Sequence, residues 1–290
     1  MLECVPNFSE GTDQNVIDEI VSSIKSCKIL DVHSDDDHNR TVVTMVGEPK
    51  EVEAGAFELC QSAINNIDIN KHSGVHPFIG AVDVIPLIPL SGSSMHEAKE
   101  SAYNLGDKLW KDLRLPVYFY GQAAKSEDRV NLPHVRKGGY ALLKKEIDEK
   151  ERQPDFGIGL HKTAGAVAVG ARDFLIAFNV NIGTTDVLIA ESIGKNIREK
   201  YSGLSGVRAL GLYLKSRNIC QVSVNLTDCN QTSLKHVYDK IKYWAKEYKV
   251  NIIESELIGL VPQAAVFKGM KDYLGLNDFS IDKILVEKII

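Results

Sequence analysis

Two histidines four residues apart, His72 and His76, stand in the segment HSGVHPFIGAVDVIPLIPL (72–90). On a helix that spacing would put both imidazoles on one face, as a zinc site needs. Ser73, Gly74 and Pro77 argue against helix, and the glutamate of the HExxH metalloprotease pattern is missing. The segment reads instead as an irregular loop entering a buried strand. Imidazole titrates near neutral pH, so a histidine held at a strand entrance is placed for proton transfer. A histidine met singly is more often an ordinary hydrogen-bonding group, and the loop alone leaves both readings open.

Two further segments carry chemistry-bearing residues. DVHSDDDHNR (31–40) offers His33, Asp35, Asp37 and His38, which could supply nitrogen and oxygen ligands to a metal. The favoured reading is an acidic turn between two strands, with Asn39 and Arg40 entering the second strand as candidate amide or anion binders. GIGLHKTAG (157–165) places three glycines around His161 and Lys162. Glycines let backbone approach a ligand and expose N–H groups, although a plain flexible linker has the same composition. The segment matches neither GxxxxGK[ST] nor GxGxxG, so nucleotide phosphate binding has weak support. No GxSxG elbow is present, and Cys4, Cys27, Cys60, Cys220 and Cys229 form no CxxC pair. Acid–base catalysis without a cofactor remains the main enzymatic option.

The elements that must position these residues follow from hydrophobic period. Residues 2–6 read as a strand, and 12–26 set Val16, Ile17, Ile20, Val21 and Ile24 on one helical face. KILDV and RTVVTMVG are strands, Glu51 to Asn66 a helix, VDVIPLIPL a strand, Met95 to Leu113 a helix and LPVYFYG a strand. The second half repeats the rhythm. Residues 174–182 form a strand, Asp186 to Lys200 a helix, and VRALGLYL with ICQVSVNLTD a strand pair. Leu234 to Tyr248 is a helix, NIIESELIG a strand, and Val261 to Leu274 a final helix. The order predicts an α/β (α+β) protein of two tandem ferredoxin-like βαββαβ subdomains, each a sheet covered by helices on one face. Between them lie the charged KKEIDEKERQ (144–153) and the glycine-rich stretch, expected to face the cleft between the halves. The boundary falls near residue 165, giving subdomains 1–165 and 166–290.

Composition is that of an ordinary globular chain: 290 residues, 44% hydrophobic, 25% charged, with no need of stapling. With 34 basic against 39 acidic residues, the net charge of −5 and the absence of a basic tail argue against a general nucleic-acid binder. An anionic substrate would therefore need locally placed cations. The start of the chain lacks a signal-peptide pattern, and no apolar run is long enough for a span, so a cytosolic protein with reduced thiols and no membrane partner is expected.

At these same residues the sequence resembles the formiminotransferase family. The resemblance rests on ECVPNFSEG (3–11), NRTVVTMVG (39–47), HSGVHPFIGAVDVIPLIPL, PVYFYGQAA (116–124) and LPHVRKGGYALLKK (132–145). It continues through PDFG (154–157), TAGAVAVGARDFLIAFNVNI (163–182), QVSVNLTD (221–228) and ELIGLVP (256–262). It implies two α/β halves flanking a substrate groove, and transfer of the formimino group from N-formimino-L-glutamate to tetrahydrofolate as co-substrate, with no metal. The products would be 5-formiminotetrahydrofolate and glutamate, placing the chain in histidine degradation and one-carbon metabolism. It also implies a homodimer, with His76, the second histidine of HxxxHP, as general base and acid. The folate loop maps onto Gly157, Ile158, Gly159, Leu160, His161, Lys162, Thr163, Ala164 and Gly165. Cations for the substrate carboxylates would be Arg40, Lys162 and Arg172, with Asn7 and Asn39 orienting polar atoms; Arg172 could equally be a structural ion-pair partner. GLHKTAG is shorter than the loop of the bifunctional members and resembles the stand-alone enzymes, and His33 stands where an acidic residue is usual. A fused cyclodeaminase domain is not expected in 290 residues. Rival readings are formyl transfer between 5-formyltetrahydrofolate and glutamate, a cycloligase-like folate salvage, or a non-catalytic folate-binding protein.

Overall fold

A computed structural model describes residues 1–90, 92–277 and 279–285. The chain divides into two units, Met1–Arg172 and Asp173–Ile290. In the first, β1 (Leu2–Cys4) and β2 (Asn7–Phe8) lead to α1 (Gln14–Ser22), the hairpin β3 (Lys28–Asp35) and β4 (Arg40–Gly47), α2 (Pro49–Asn66) and β5 (Val82–Pro89). Then come α3 (Met95–Leu113), β6 (Val117–Gly121), the short α4 (Leu132–Val135), α5 (Gly139–Glu146) and β7 (Val167–Ala171). Both β1 and β2 pair antiparallel with β4 and β5, so they act as one strand interrupted at Val5–Pro6. With β3 outside β4, the first four strands have the ferredoxin-like arrangement expected from the element order.

β7 extends that sheet and was not visible in the sequence. It inserts between β5 and β6, parallel to both, pairing Val84 with Ala168 and Tyr118 with Ala168. The unit therefore ends at Arg172 and not near 165, because AVAVGA, read as part of the glycine-rich linker, is a central strand. All five β7 residues are buried. A parallel strand covered on both faces shows a continuous apolar run instead of alternation, and alanine and glycine hide it further.

Helices α1, α2 and α3 pack on one face over a core that includes Leu2, Phe8, Met45, Ile85, Val117 and Phe119. Ser94 caps α3 reciprocally with Glu97: the Ser94 hydroxyl accepts from the Glu97 amide at 3.3 Å, and the Glu97 carboxylate accepts from the Ser94 amide at 2.7 Å. A smaller core lies on the opposite face, where Val84, Tyr118, Tyr120 and Ala168 meet Val135 of α4 and Leu143 of α5. Helical cover on this second face is an addition to the expected architecture.

The second unit holds β8 (Ile176–Ile182), α6 (Val187–Ile197), β9 (Val207–Leu214), β10 (Ile219–Leu226), α7 (Leu234–Glu247) and β11 (Ile252–Ile258). Its antiparallel sheet has the order β11-β8-β10-β9, the second ferredoxin-like unit. Inward Phe178, Val180, Val222 and Val224 form its core with Ile193 of α6 and Ile241 of α7. The expected helix from Val261 to Leu274 is instead a two-residue strand β12 (Val261–Pro262), a turn, and α8 (Met270–Leu274). Pro262 breaks the helical pattern, and Gly269 enters α8 with φ 77°, a left-handed conformation that glycine accepts at least cost. A second short strand, β13 (Ile284–Leu285), pairs parallel with β12. Among the described residues no helix is long and apolar enough to cross a membrane.

Candidate active site

The segment between α2 and β5 is irregular, and three backbone-directed contacts hold its HSGVHP stretch. The amide of Val75 donates to the Asp37 carbonyl at 3.2 Å. The Asn39 carboxamide donates to the Ser73 carbonyl at 2.8 Å and accepts from the Gly11 amide at 2.9 Å. Gly74 lies so close that a Cβ would sit 2.4 Å from the His38 carbonyl oxygen. The acidic stretch 35–37 thereby gains a structural role: Asp35 accepts from the His38 amide at 2.7 Å, closing the turn against which the histidine loop rests. Asn39 adopts φ 47°, a left-handed conformation asparagine tolerates better than most residues.

His72 and His76 end in one small recess with Ser9, His38, Asn39, Arg40, Phe78 and Asp83. His76 is half-buried and stacks on His38, with ring centroids 6.0 Å apart. Its Nε2 meets Arg40 Nη1. Arginine has no acceptor, so that imidazole nitrogen must accept. Burial first, then the nearby Arg40 and Arg136 cations and His38, hold the His76 pKa well below the ordinary value. His76 is therefore neutral at neutral pH. His72 packs edge-on against Phe78 at 4.5 Å, and burial lowers its pKa too.

Asp83 anchors Arg136. The register between β2 and β5 slips at this point, with Asn7 opposite Val84 and Phe8 opposite Val82. This bulge leaves Asp83 as the extra residue and turns it away from the helical core. Its carboxylate accepts from the Ile79 amide at 3.0 Å and from Arg136 Nε at 3.2 Å, with Arg136 Nη2 on the other oxygen. This is a buried fork-on-fork pair, strong when intact and costly when half of it is removed. Burial and Arg136 push Arg40 down to about 9, while Asp83 and Asp35 pull the other way; the guanidinium stays cationic at neutral pH. Arg40 Nε is buried without a hydrogen-bond partner.

The 157–165 loop is built on PDFG. Asp155 pairs with Arg129 at 2.9 Å and accepts from the Phe119 amide at 2.7 Å, tying the loop's base to β6. Gly157, Gly159 and Gly165 all have positive φ, and Ile158 is 82% exposed at the tip. His161 and Gly165 exchange backbone hydrogen bonds at 2.8 and 3.1 Å. The imidazole Nδ1 of His161 accepts from the Ala164 amide at 3.0 Å, so the ring serves the loop's own shape. Lys162 is exposed.

The remaining candidates separate. Asn7 is buried in β2, donating to the Val5 carbonyl at 2.8 Å, with its Oδ1 unpartnered. Arg172 is absent from the recess. It follows β7, where Leu87 pairs with Ala171, roughly 13 Å along β5 from Asp83. There it hydrogen-bonds Tyr120 and faces the buried Glu3, whose carboxyl is raised by burial to about 7 against the pull of Arg172. These contacts are those of a structural ion-pair partner. Asp83, Arg136 and Ser9 were not anticipated, and His38, considered only as a metal ligand, lines the recess stacked on His76. One signal for Asp83 existed: a lone acid inside VDVIPLIPL has to find a buried cation. Nothing in spacing points to Arg136, 53 residues away. Among the described residues no three His, Cys, Asp or Glu side chains group as a metal site, so His33, Asp35, Asp37 and His38 do not converge.

A neutral, shielded imidazole beside two fixed guanidiniums is equipment for moving protons at an anionic substrate, the layout of an acid–base group-transfer protein. Residues 1–172 match the family described as the formiminotransferase domain, N-terminal subdomain, and residues 177–288 match the formiminotransferase domain. The chain belongs to the formiminotransferase family. It is 40% identical to the glutamate formimidoyltransferase of Thermoplasma acidophilum, over 100% of this chain and 97% of that one. Identity to the glutamate formimidoyltransferase of Streptococcus pyogenes serotype M1 is also 40%, over 99% and 97%. Identity to the formimidoyltransferase-cyclodeaminase of Gallus gallus is 41%, over 94% of this chain and 52% of that protein.

Proposed function

We propose that this chain transfers the formimino group of N-formimino-L-glutamate to N5 of tetrahydrofolate, with His76 as the proton shuttle. The observation that carries the reading is the neutral His76 imidazole, fixed against Arg40 in a family whose similar members are named for this transfer. N5 attacks the formimino carbon and passes its proton to His76 as the tetrahedral adduct forms. The imidazolium returns that proton to the glutamate nitrogen, the carbon–nitrogen bond breaks, and the formimino group remains on N5. A depressed pKa suits both halves: the base is fully available at neutral pH, and its conjugate acid is strong. Such proton transfer contributes ~10²–10⁴-fold. Holding the two substrates together supplies up to ~7–11 kcal/mol of the barrier.

The cations have assigned tasks in this scheme. Arg40 receives a substrate carboxylate, and because it sits on His76 Nε2, drawing it towards that carboxylate uncovers the base. Asp83 fixes Arg136 and its carboxylate offsets the charge of Arg40, and Asn39, which braces the histidine loop through Ser73, positions that loop. Gly157–Gly165 carries the folate, with Lys162 as an exposed cation. Asn7 offers an open acceptor, and Arg172 acts at the Glu3–Tyr120 end of the sheet. A cytoplasmic homodimer completes the reading, with light scattering of the purified chain as its check. The test of function offers formiminoglutamate and formylglutamate side by side with tetrahydrofolate. Formimino transfer is expected to dominate; preferential use of the formyl donor, or folate binding without either turnover, would overturn the assignment.

A further inference from the structure

Asn70 lies in the connection leading from α2 to the histidine loop, and its carboxamide uses all the hydrogen-bonding capacity it has. Nδ2 donates to the Lys162 carbonyl at 3.0 Å and to Asp68 Oδ1 at 2.8 Å. Oδ1 accepts from the Tyr140 hydroxyl at 3.1 Å and from Lys144 Nζ at 2.9 Å. Two donors and two lone pairs are the whole inventory of an asparagine side chain. One residue thus joins the 157–165 loop, helix α5 and the approach to His72.

Backbone contacts beside it make the same connection at both ends of the histidine segment. The Ile69 amide donates to the Thr163 carbonyl at 2.8 Å. At the far end, the Ala81 amide donates to the Ala164 carbonyl at 2.9 Å, and the Ala166 amide to the Ile79 carbonyl at 3.1 Å. Gly80 and Gly165 form the bridge between these strands, so close that a Cβ on Gly80 would lie 2.1 Å from the Ala166 carbonyl oxygen. Residues 70–78, which carry both histidines, therefore form an arch with both feet on 163–166.

We infer that Asn70 is a positioning residue that makes the 157–165 loop and the His76 loop one mechanical unit, so that folate held by the first loop fixes the imidazole in the second. The inference rests on the folate-loop reading above. Its physical basis is that a loop braced at both feet cannot shift one foot without moving its apex. Asn70 closes the only side-chain link to Lys162, the loop's exposed cation, that the described residues show.

Asn70→Asp removes the two Nδ2 bonds, to the Lys162 carbonyl and to Asp68, and leaves the two acceptor contacts. Aspartate keeps both acceptor contacts, so Tyr140 and Lys144 still hold it, but it has no N–H to give Lys162 or Asp68 and sets oxygen against that carbonyl and that carboxylate. Asn70→Ala removes all four bonds and serves as the comparison. The readouts are amide hydrogen exchange of Ile69, Ala81, Ala164 and Ala166 in the protein alone, its Tm, and tetrahydrofolate affinity by fluorescence titration. In Asn70→Asp the amides of 163–166 and of 69–81 should speed up together, with Tm within a few degrees of the parent. Tetrahydrofolate Kd should rise about five- to tenfold, the loss of the one side-chain hydrogen bond to the folate loop. Faster exchange in 163–166 with 69–81 unchanged would overturn the coupling, as would parental exchange in both. A parent chain that binds no tetrahydrofolate would instead count against the folate reading, because the exchange result stands without ligand.

Discussion

At His76 the environment decides the chemistry. An imidazole in water has a pKa of about 6.5, which would leave a share of it protonated and useless as a base in mildly acidic medium. Burial, Arg40 and Arg136 all disfavour the charged form here. The rate of transfer should therefore hold its plateau below pH 6.5 before falling as His76 protonates, so the acid limb of a kcat/KM profile lies lower than for a free histidine. The same depression has a stability consequence. Below about pH 6.5 the unfolded chain takes up the His76 proton and the folded chain does not, so stability falls as pH drops towards the folded pKa. Replacing His76 by glutamine should flatten that part of a pH–Tm curve. Asp83 is the second residue on which the site turns. Asp83→Asn leaves Arg136 buried without its counter-charge, a change that costs about 3–5 kcal/mol where a buried pair is broken. Urea denaturation should show this as a lowered midpoint, and the cation beside His76 would be released along with it.

Among the elements, what was legible depended on how each signals itself. Amphipathic helices and alternating strands announce their faces by period, and Met95 to Leu113 was read to the residue. β7 gave no such signal, since Val167–Ala171 is buried on both faces and built from valine, alanine and glycine. Its loss from the reading moved the unit boundary. The loop character of HSGVHP was visible in Ser73, Gly74 and Pro77, and so was the turn at 35–37. The contacts that make those two loops a site were not visible, because they join residues about 35 positions apart through backbone groups that every residue possesses. The Asp83 bulge is likewise a product of strand register, which depends on partners far away in sequence. Gly80 is the element-scale test of this packing. A methyl group there meets two carbonyl oxygens, of Ala166 and Ala164, at 2.1 and 2.5 Å. Gly80→Ala should cost about 3 kcal/mol and depress turnover by displacing the foot of the histidine arch, whereas Gly159→Ala meets no atom within 4 Å and should cost only its positive-φ strain.

At the scale of the whole molecule, all the residues proposed for binding and catalysis lie in the first unit, between Asn7 and Arg172. The family match nonetheless continues through residue 288, so the second unit is part of what similar proteins share. A net charge of −5 gives two anionic substrates no general attraction, so we assign their recognition to individual guanidiniums such as Arg40. The central claim is that this chain moves a formimino group by way of His76. The most direct measurement compares parent and His76→Ala in a coupled assay with formiminoglutamate and tetrahydrofolate, alongside a tetrahydrofolate titration of each. The account predicts a fall in kcat of at least about 100-fold, the lower range for a lost general acid–base group, with tetrahydrofolate affinity within about twofold of the parent. Near-parental turnover by His76→Ala would contradict it.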